Sequence, residues 1–288
     1  MDAAPQIWRE ARLGPELRAL FRSRLLDTRS GAGRGLPVLL IPGLLAPDRT
    51  LGLLARYLKA HGFHPKRAGI ASNVDCSERE MARLEARVER AATAAGSRVA
   101  IVGHSRGGIF ARTLAVRHPD LVASVICLGS PLVDPLANIH PFLHLQLELI
   151  ARLGDRRVPR FASHACVDAA VLEQLEQIAD RNPIVRSLVR RVREAPRGEC
   201  CQQFWADSRA PMPAATSYVS MYSHSDGVVS PSACLDPAAR HVEVESSHCG
   251  MAWNVGVFRA LLPELRDVAE GERAPLGKPR RPALRAVA

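Results

Sequence analysis

A chain of 288 residues with 47% hydrophobic and 24% charged residues can bury one sizeable core, which excludes a fibrous or disordered chain. The net charge is +10, but aromatic residues make up only 5% and no nucleic-acid-binding motif occurs, which argues against a nucleic-acid partner. No run approaches the roughly 18 apolar residues of a membrane span.

The positive charge is carried by flanks and by one internal stretch. Residues 1–35 hold seven Arg against four acids, 151–197 ten Arg against six, and 271–288 five Lys or Arg against one acid. Such flanks suit weak association with an anionic membrane surface as well as plain solvation. The first residues lack the apolar stretch of a secretory signal, so the expected location is cytoplasmic, at most peripheral to a membrane. The seven cysteines (76, 127, 166, 200, 201, 234 and 249) show neither a CxxC nor a zinc-ligand spacing. They read as ordinary thiols, with a bridge from Cys200–Cys201 to Cys166 or a vicinal disulfide as alternatives that nothing in the sequence favours.

The N-terminal segment 1–35 is amphipathic. Between Ile7 and Leu26, Trp8, Leu17, Leu20, Phe21 and Leu25 oppose Arg9, Arg18, Arg22 and Arg24, and Gly14-Pro15 predicts a kink or break. Its apolar face suits packing against the body or lying on a membrane surface. Leu36–Ile41 is a short apolar run ending at Pro42-Gly43, the pattern of a buried parallel strand. A helix follows over 49–60, a strand over 63–70 and a long helix over 77–95 with Met81, Leu84, Val88 and Ala92 on one face. Strands over 98–102 and 121–128 flank a helix over 109–118 that stops at Pro119. From Pro131 to Pro213 helices at 140–153, 167–178 and 184–192 appear without a strand, predicting a helical cap or lid insertion. Strands return at 216–222 and 241–244, then a helix at 253–262. The remainder, 271–288, is Pro-rich and basic and is expected to be disordered. Strands separated by helices imply one α/β domain over 36–270 with a mainly parallel sheet of about six strands.

Gly103-His104-Ser105-Arg106-Gly107 follows a buried strand and precedes a helix, the context that G-x-S-x-G requires. The chain turns so sharply at Ser105 that the flanking positions must be glycine, with Gly108 allowing close packing. The turn exposes the hydroxyl and aims the Arg106 N–H at the same point, which makes it a candidate oxyanion donor. Serine needs a histidine base oriented by an acid. Asp226, past the 216–222 strand, and His248, past the last strand, complete the order Ser105, Asp226, His248; Asp236 is a reserve acid. The Leu44 N–H, after Pro42-Gly43, is the candidate second donor. In the insertion Ile139, Phe142, Leu143, Leu145 and Leu149 are candidates to line an acyl pocket.

These segments resemble the α/β-hydrolase superfamily, in particular bacterial lipase/esterase-like serine hydrolases. The resemblance rests on Ile41-Pro42-Gly43, Gly103 to Gly108, Leu128 to Pro131, Asp226 to Val229 and Ser247 to Met251, and covers about 36–130 and 215–262. Many lipases have His-Gly where this chain has Pro42-Gly43, and the two strands that open the full fold are absent. The resemblance implies hydrolysis of a small-molecule or lipid carboxylic ester through an acyl-enzyme, with no metal or organic cofactor. Acyl transfer and thioester hydrolysis on the same scaffold, and a non-catalytic lipid-surface module, are the rival readings.

Overall fold

The computed structural model describes residues 5–136, 138–180, 182–195 and 200–272. A 3₁₀ segment (Ile7–Arg12) leads into helix α1 (Leu13–Arg22). Gly14-Pro15 falls in the first turn of α1, where a proline has no intrahelical N–H to lose, so the predicted break is a 3₁₀-to-α transition. Then come strand β1 (Pro37–Ile41), α2 (Gly52–Ala60), β2 (His64–Arg67), α3 (Ser77–Ala95), β3 (Val99–His104), α4 (Arg106–Arg117) and β4 (Val122–Leu128). Helices α5 (Pro141–Asp155), α6 (Ala169–Ala179), α7 (Pro183–Glu194) and α8 (Gln202–Arg209) separate β4 from β5 (Ser217–Tyr222). A single turn, α9 (Pro231–Cys234), precedes β6 (Arg240–Glu243), and α10 (Val255–Gly271) closes the fold. The tail expected from 271 onward lies, past Glu272, outside the described residues.

The six strands form one all-parallel sheet in the order β2-β1-β3-β4-β5-β6. Among the described residues no strand precedes β1, the departure from the full fold that the sequence led us to expect. Strands β1, β3 and β4 are buried throughout, which is why they read as continuous apolar runs rather than alternating ones. Alternation still sorts their side chains: Val38 and Leu40 face one layer, Leu39 and Ile41 the other. The first layer holds Leu20 of α1, Tyr57 of α2 and Phe258 of α10, with Tyr57 and Phe258 stacked at 5.1 Å between ring centroids. The second holds Met81 and Leu84 of α3, Phe110 of α4 and Phe204 of α8, and it continues into Leu175 of α6 and Leu188 of α7. Edge strands β2 and β6 expose Lys66, Arg67, Arg240 and Glu243, charges that discourage pairing with another sheet.

Helix α10 runs past the predicted end, through Pro263. An interior proline costs about 3 kcal/mol. Burial of Leu265 and Ala269 beyond it offsets that cost, and the end is held by Arg98 Nε donating to Glu272 Oε1 at 3.0 Å. Among the described residues no helix is long and apolar enough to cross a membrane.

Candidate active site

Parallel strands deliver their carboxyl ends to one edge of the sheet, and the candidate residues collect there. Ser105 joins β3 to α4 with φ 53° and ψ −124°, a backbone conformation that a non-glycine residue adopts only when its surroundings impose it. Two glycines impose it here. A Cβ on Gly103 would lie 2.3 Å from the Gly107 carbonyl oxygen, and one on Gly107 would lie 2.2 Å from that of Ile41. The Ser105 N–H is tied to the Leu128 carbonyl at 2.9 Å, which fixes the elbow against β4.

Asp226 follows β5 and is buried. Its Oδ1 accepts the N–H groups of Val228 and Val229, both at 2.8 Å, and its Oδ2 accepts His248 Nδ1–H at 2.7 Å. With Nδ1 protonated and held, the lone pair of the neutral ring sits on Nε2. Burial pulls the His248 pKa down, but the charge and hydrogen bond of Asp226, helped by the charge of Glu10, outweigh it, so the net shift is upward. The neighbouring His104 goes the other way. Burial and the nearby His248 lower it to about 4, so it stays neutral and donates Nε2–H to the His248 carbonyl at 3.0 Å. The two imidazoles lie 5.0 Å apart, centre to centre, so His248 is next to the elbow. A hydrogen bond between Ser105 Oγ and the His248 ring is not among those formed by the described residues. Asp236 is remote from this arrangement: it is committed to the buried Arg112 at 2.9 Å and to Tyr218 Oη at 3.0 Å.

Ser105, Leu44 and Arg106 all line one apolar cavity of about 970 Å³, counting its open mouth. Among the described residues neither the Leu44 N–H nor the Arg106 N–H is engaged in an internal hydrogen bond. The Arg106 side chain is anchored to the 73–77 segment, donating to Asn73 Oδ1 at 2.8 Å and to the Asp75 carbonyl at 2.8 Å. Asn73 in turn donates to the Pro42 carbonyl at 2.8 Å, linking the two donor loops. Of the five residues expected in the cavity wall, Ile139 and Leu143 are there, joined by Leu147 and Ile150. Phe142, Leu145 and Leu149 instead lie exposed on the outside of α5. The helical period explains it: 143, 147 and 150 share one face and 142, 145 and 149 another.

The sequence reading missed two carboxylates from the N-terminal segment. Glu10 accepts the N–H groups of Gly227 at 3.0 Å, His248 at 2.8 Å and Cys249 at 2.9 Å. Glu16, buried in α1, accepts the Ser247 N–H at 2.8 Å and its hydroxyl at 2.7 Å. The basic face contributes too, with Arg12 paired to Glu245 at 2.6 Å. The acid and histidine loops are therefore clamped by residues from the opposite end of the chain, and the apolar Leu20 packs inward while Trp8 and Phe21 remain exposed.

Residues 73–163 match the family model of the alpha/beta hydrolase fold, and the sheet order and elbow agree with it. The chain has the α/β-hydrolase fold. Among solved structures, the chain is similar to lip1 of Acinetobacter baumannii AYE, assigned as a lipase, at 17% identity over 88% of this chain and 97% of that one, with a TM-score of 0.50. It is also similar to the mature form of lipase BlEst2 from Bacillus licheniformis, at 16% identity over 83% and 94%, with a TM-score of 0.50. At such identities the likeness speaks for the fold alone. No curated protein matches the sequence.

Proposed function

We propose that this α/β-hydrolase cleaves carboxylic esters with an apolar acyl group, through an acyl-enzyme on Ser105. The observation that carries the reading is the strained Ser105 in the wall of an apolar cavity, flanked by two unengaged N–H groups and by the Asp226–His248 pair. In this mechanism rotation of the Ser105 side chain brings Oγ to His248 Nε2, which takes its proton as Oγ attacks the ester carbonyl. The Leu44 and Arg106 N–H groups hold the oxyanion, a contribution of about 3–4 kcal/mol per donor in comparable sites. Asp226 keeps the imidazole oriented and stabilises its protonated form. His248 returns the proton to the departing alcohol, and water activated by the same base releases the acid. Helices α5–α8 act as a cap whose inner face, with Leu143, Leu147 and Ile150, receives the acyl chain.

The test is turnover of p-nitrophenyl esters from acetyl to palmitoyl, with labelling by a fluorophosphonate. The wild-type protein should label at Ser105 and hydrolyse the esters, and Ser105→Ala should do neither. Full turnover by Ser105→Ala would defeat the proposal.

A further inference from the structure

Cysteines that lie far apart in sequence meet at the base of the α5–α8 region. The sulfurs of Cys76, Cys166, Cys200 and Cys201 all lie within 4.8 Å of one another. Cys76–Cys201 is 3.3 Å, Cys166–Cys200 3.7 Å and Cys200–Cys201 3.9 Å, and all four are unbridged. Four thiolates around a tetrahedral zinc, with Zn–S of about 2.3 Å, would be about 3.8 Å apart. The observed spacings bracket that value.

We propose that Cys76, Cys166, Cys200 and Cys201 form a structural zinc site that ties the α5–α8 region to the body of the fold. Cys76 precedes α3, Cys166 lies between α5 and α6, and Cys200 and Cys201 open α8. Four protein ligands leave no open position, so the metal is structural rather than catalytic, and an all-thiolate set selects a soft or borderline ion over magnesium or calcium. Binding converts four thiols to thiolates with release of four protons, leaving a cluster of charge −2.

The surroundings suit that charge. Cys76 is the N-cap residue of α3, at the positive end of the helix dipole. The guanidinium groups of Arg79 and Arg106 are close enough to Cys76 and Cys166 to interact with them electrostatically. The nearby Asp75 is already neutralised by Arg79 at 2.6 Å and Arg83 at 3.0 Å.

The site is outside the proposed catalytic residues but touches the substrate cavity. Cys166 lines its wall, and the Cys166 carbonyl accepts Trp205 Nε1–H at 2.8 Å, where Phe204 and Trp205 also line the cavity. Zinc would therefore fix one wall of the acyl pocket.

The full chain, produced with zinc in the medium and purified under reducing conditions without chelator, is analysed by elemental mass spectrometry. The proposal expects about one zinc per chain in the wild type and in Cys249→Ser, and at least a fivefold loss in Cys166→Ser and Cys200→Ser. Because loss of a structural metal can also cost these variants their fold, cobalt-loaded wild type supplies an independent reading. It should show thiolate-to-cobalt charge-transfer absorption and intense tetrahedral d–d bands. Substoichiometric zinc with no such bands, stoichiometric iron in place of zinc, or disulfides among these four residues in the non-reduced peptide map would each overturn the assignment.

Discussion

Replacing Glu10 by Gln tests whether the N-terminal segment positions the proposed base. The carboxylate of Glu10 accepts three N–H groups, two at Oε1 from Gly227 and His248 and one at Oε2 from Cys249. An amide keeps one acceptor oxygen for the first two but presents an NH₂ to the third, where donor meets donor. Two hydrogen bonds fall from charge-assisted to neutral strength, at about 0.5–1 kcal/mol each, and the third is lost. The Cys249 N–H is at the solvent edge and can turn to water, which keeps its share near 1 kcal/mol. The sum is about 2–3 kcal/mol, or roughly 4–10 °C in Tm for a chain of this size. The charge acts separately on His248, whose pKa lies above 6.5 partly because of Glu10. A base must be neutral to work, so kcat/KM rises as pH climbs through the His248 pKa. Removing the Glu10 charge moves that acid limb to lower pH. In stability the His248 contribution is complete below pH 6.5 and fades as pH rises through the raised folded value, so the Tm deficit of Glu10→Gln should be larger in acid than in alkali. Thermal melts and pH–rate profiles measure both. An unchanged Tm together with an unmoved acid limb would refute the clamp.

Other expectations follow from the same geometry. Asp226→Asn should lower kcat by on the order of 10⁴ through the wrong imidazole tautomer, whereas Asp236→Asn should leave the acyl-enzyme chemistry intact and lower stability by about 3 kcal/mol, because Arg112 is then buried without its charge partner; equal kinetic losses would contradict the assignment of the acid. Ser105→Gly should abolish ester turnover yet raise stability by about 1 kcal/mol, since glycine accepts φ 53° without strain, and a fall in Tm in a denaturation series would count against strain at the elbow. Leu147→Trp, on the cavity face of α5, should depress kcat/KM for long acyl esters at least tenfold while sparing acetyl esters; a uniform loss across the series would place the acyl chain elsewhere.

The elbow was legible because its determinants are contiguous: strand, turn, glycines and helix follow one another along the chain, and each local preference agrees with the others. The sheet was legible for a similar reason, since β1, β3 and β4 are buried on both faces and carry uninterrupted apolar runs. What the sequence concealed depends on contacts between distant segments. The apolar residues of α5 could be recognised, but the cavity-facing stripe could not be told from the exposed one without knowing which side the body lies on. The end of α10 was hidden because local propensity stops at Pro263 while Leu265 and Ala269 are held by the sheet. Glu10 and Glu16 look like ordinary surface acids of an amphipathic helix, and nothing near them in sequence announces the loops they hold. The four clustered cysteines escaped for the same reason: their spacing fits no short motif, and only the packing of α3 and α8 brings them together.

The contact between Glu10 and His248 spans 238 positions of the chain. A growing polypeptide emerges from the ribosome with Glu10 well before the loop it restrains. A nascent chain that has not yet reached residue 248 therefore lacks the imidazole that the proposed mechanism uses as its proton acceptor. Under the proposed mechanism the hydroxyl at 105 stays unactivated until the loops at 226 and 248 have been made and Glu10 has engaged them.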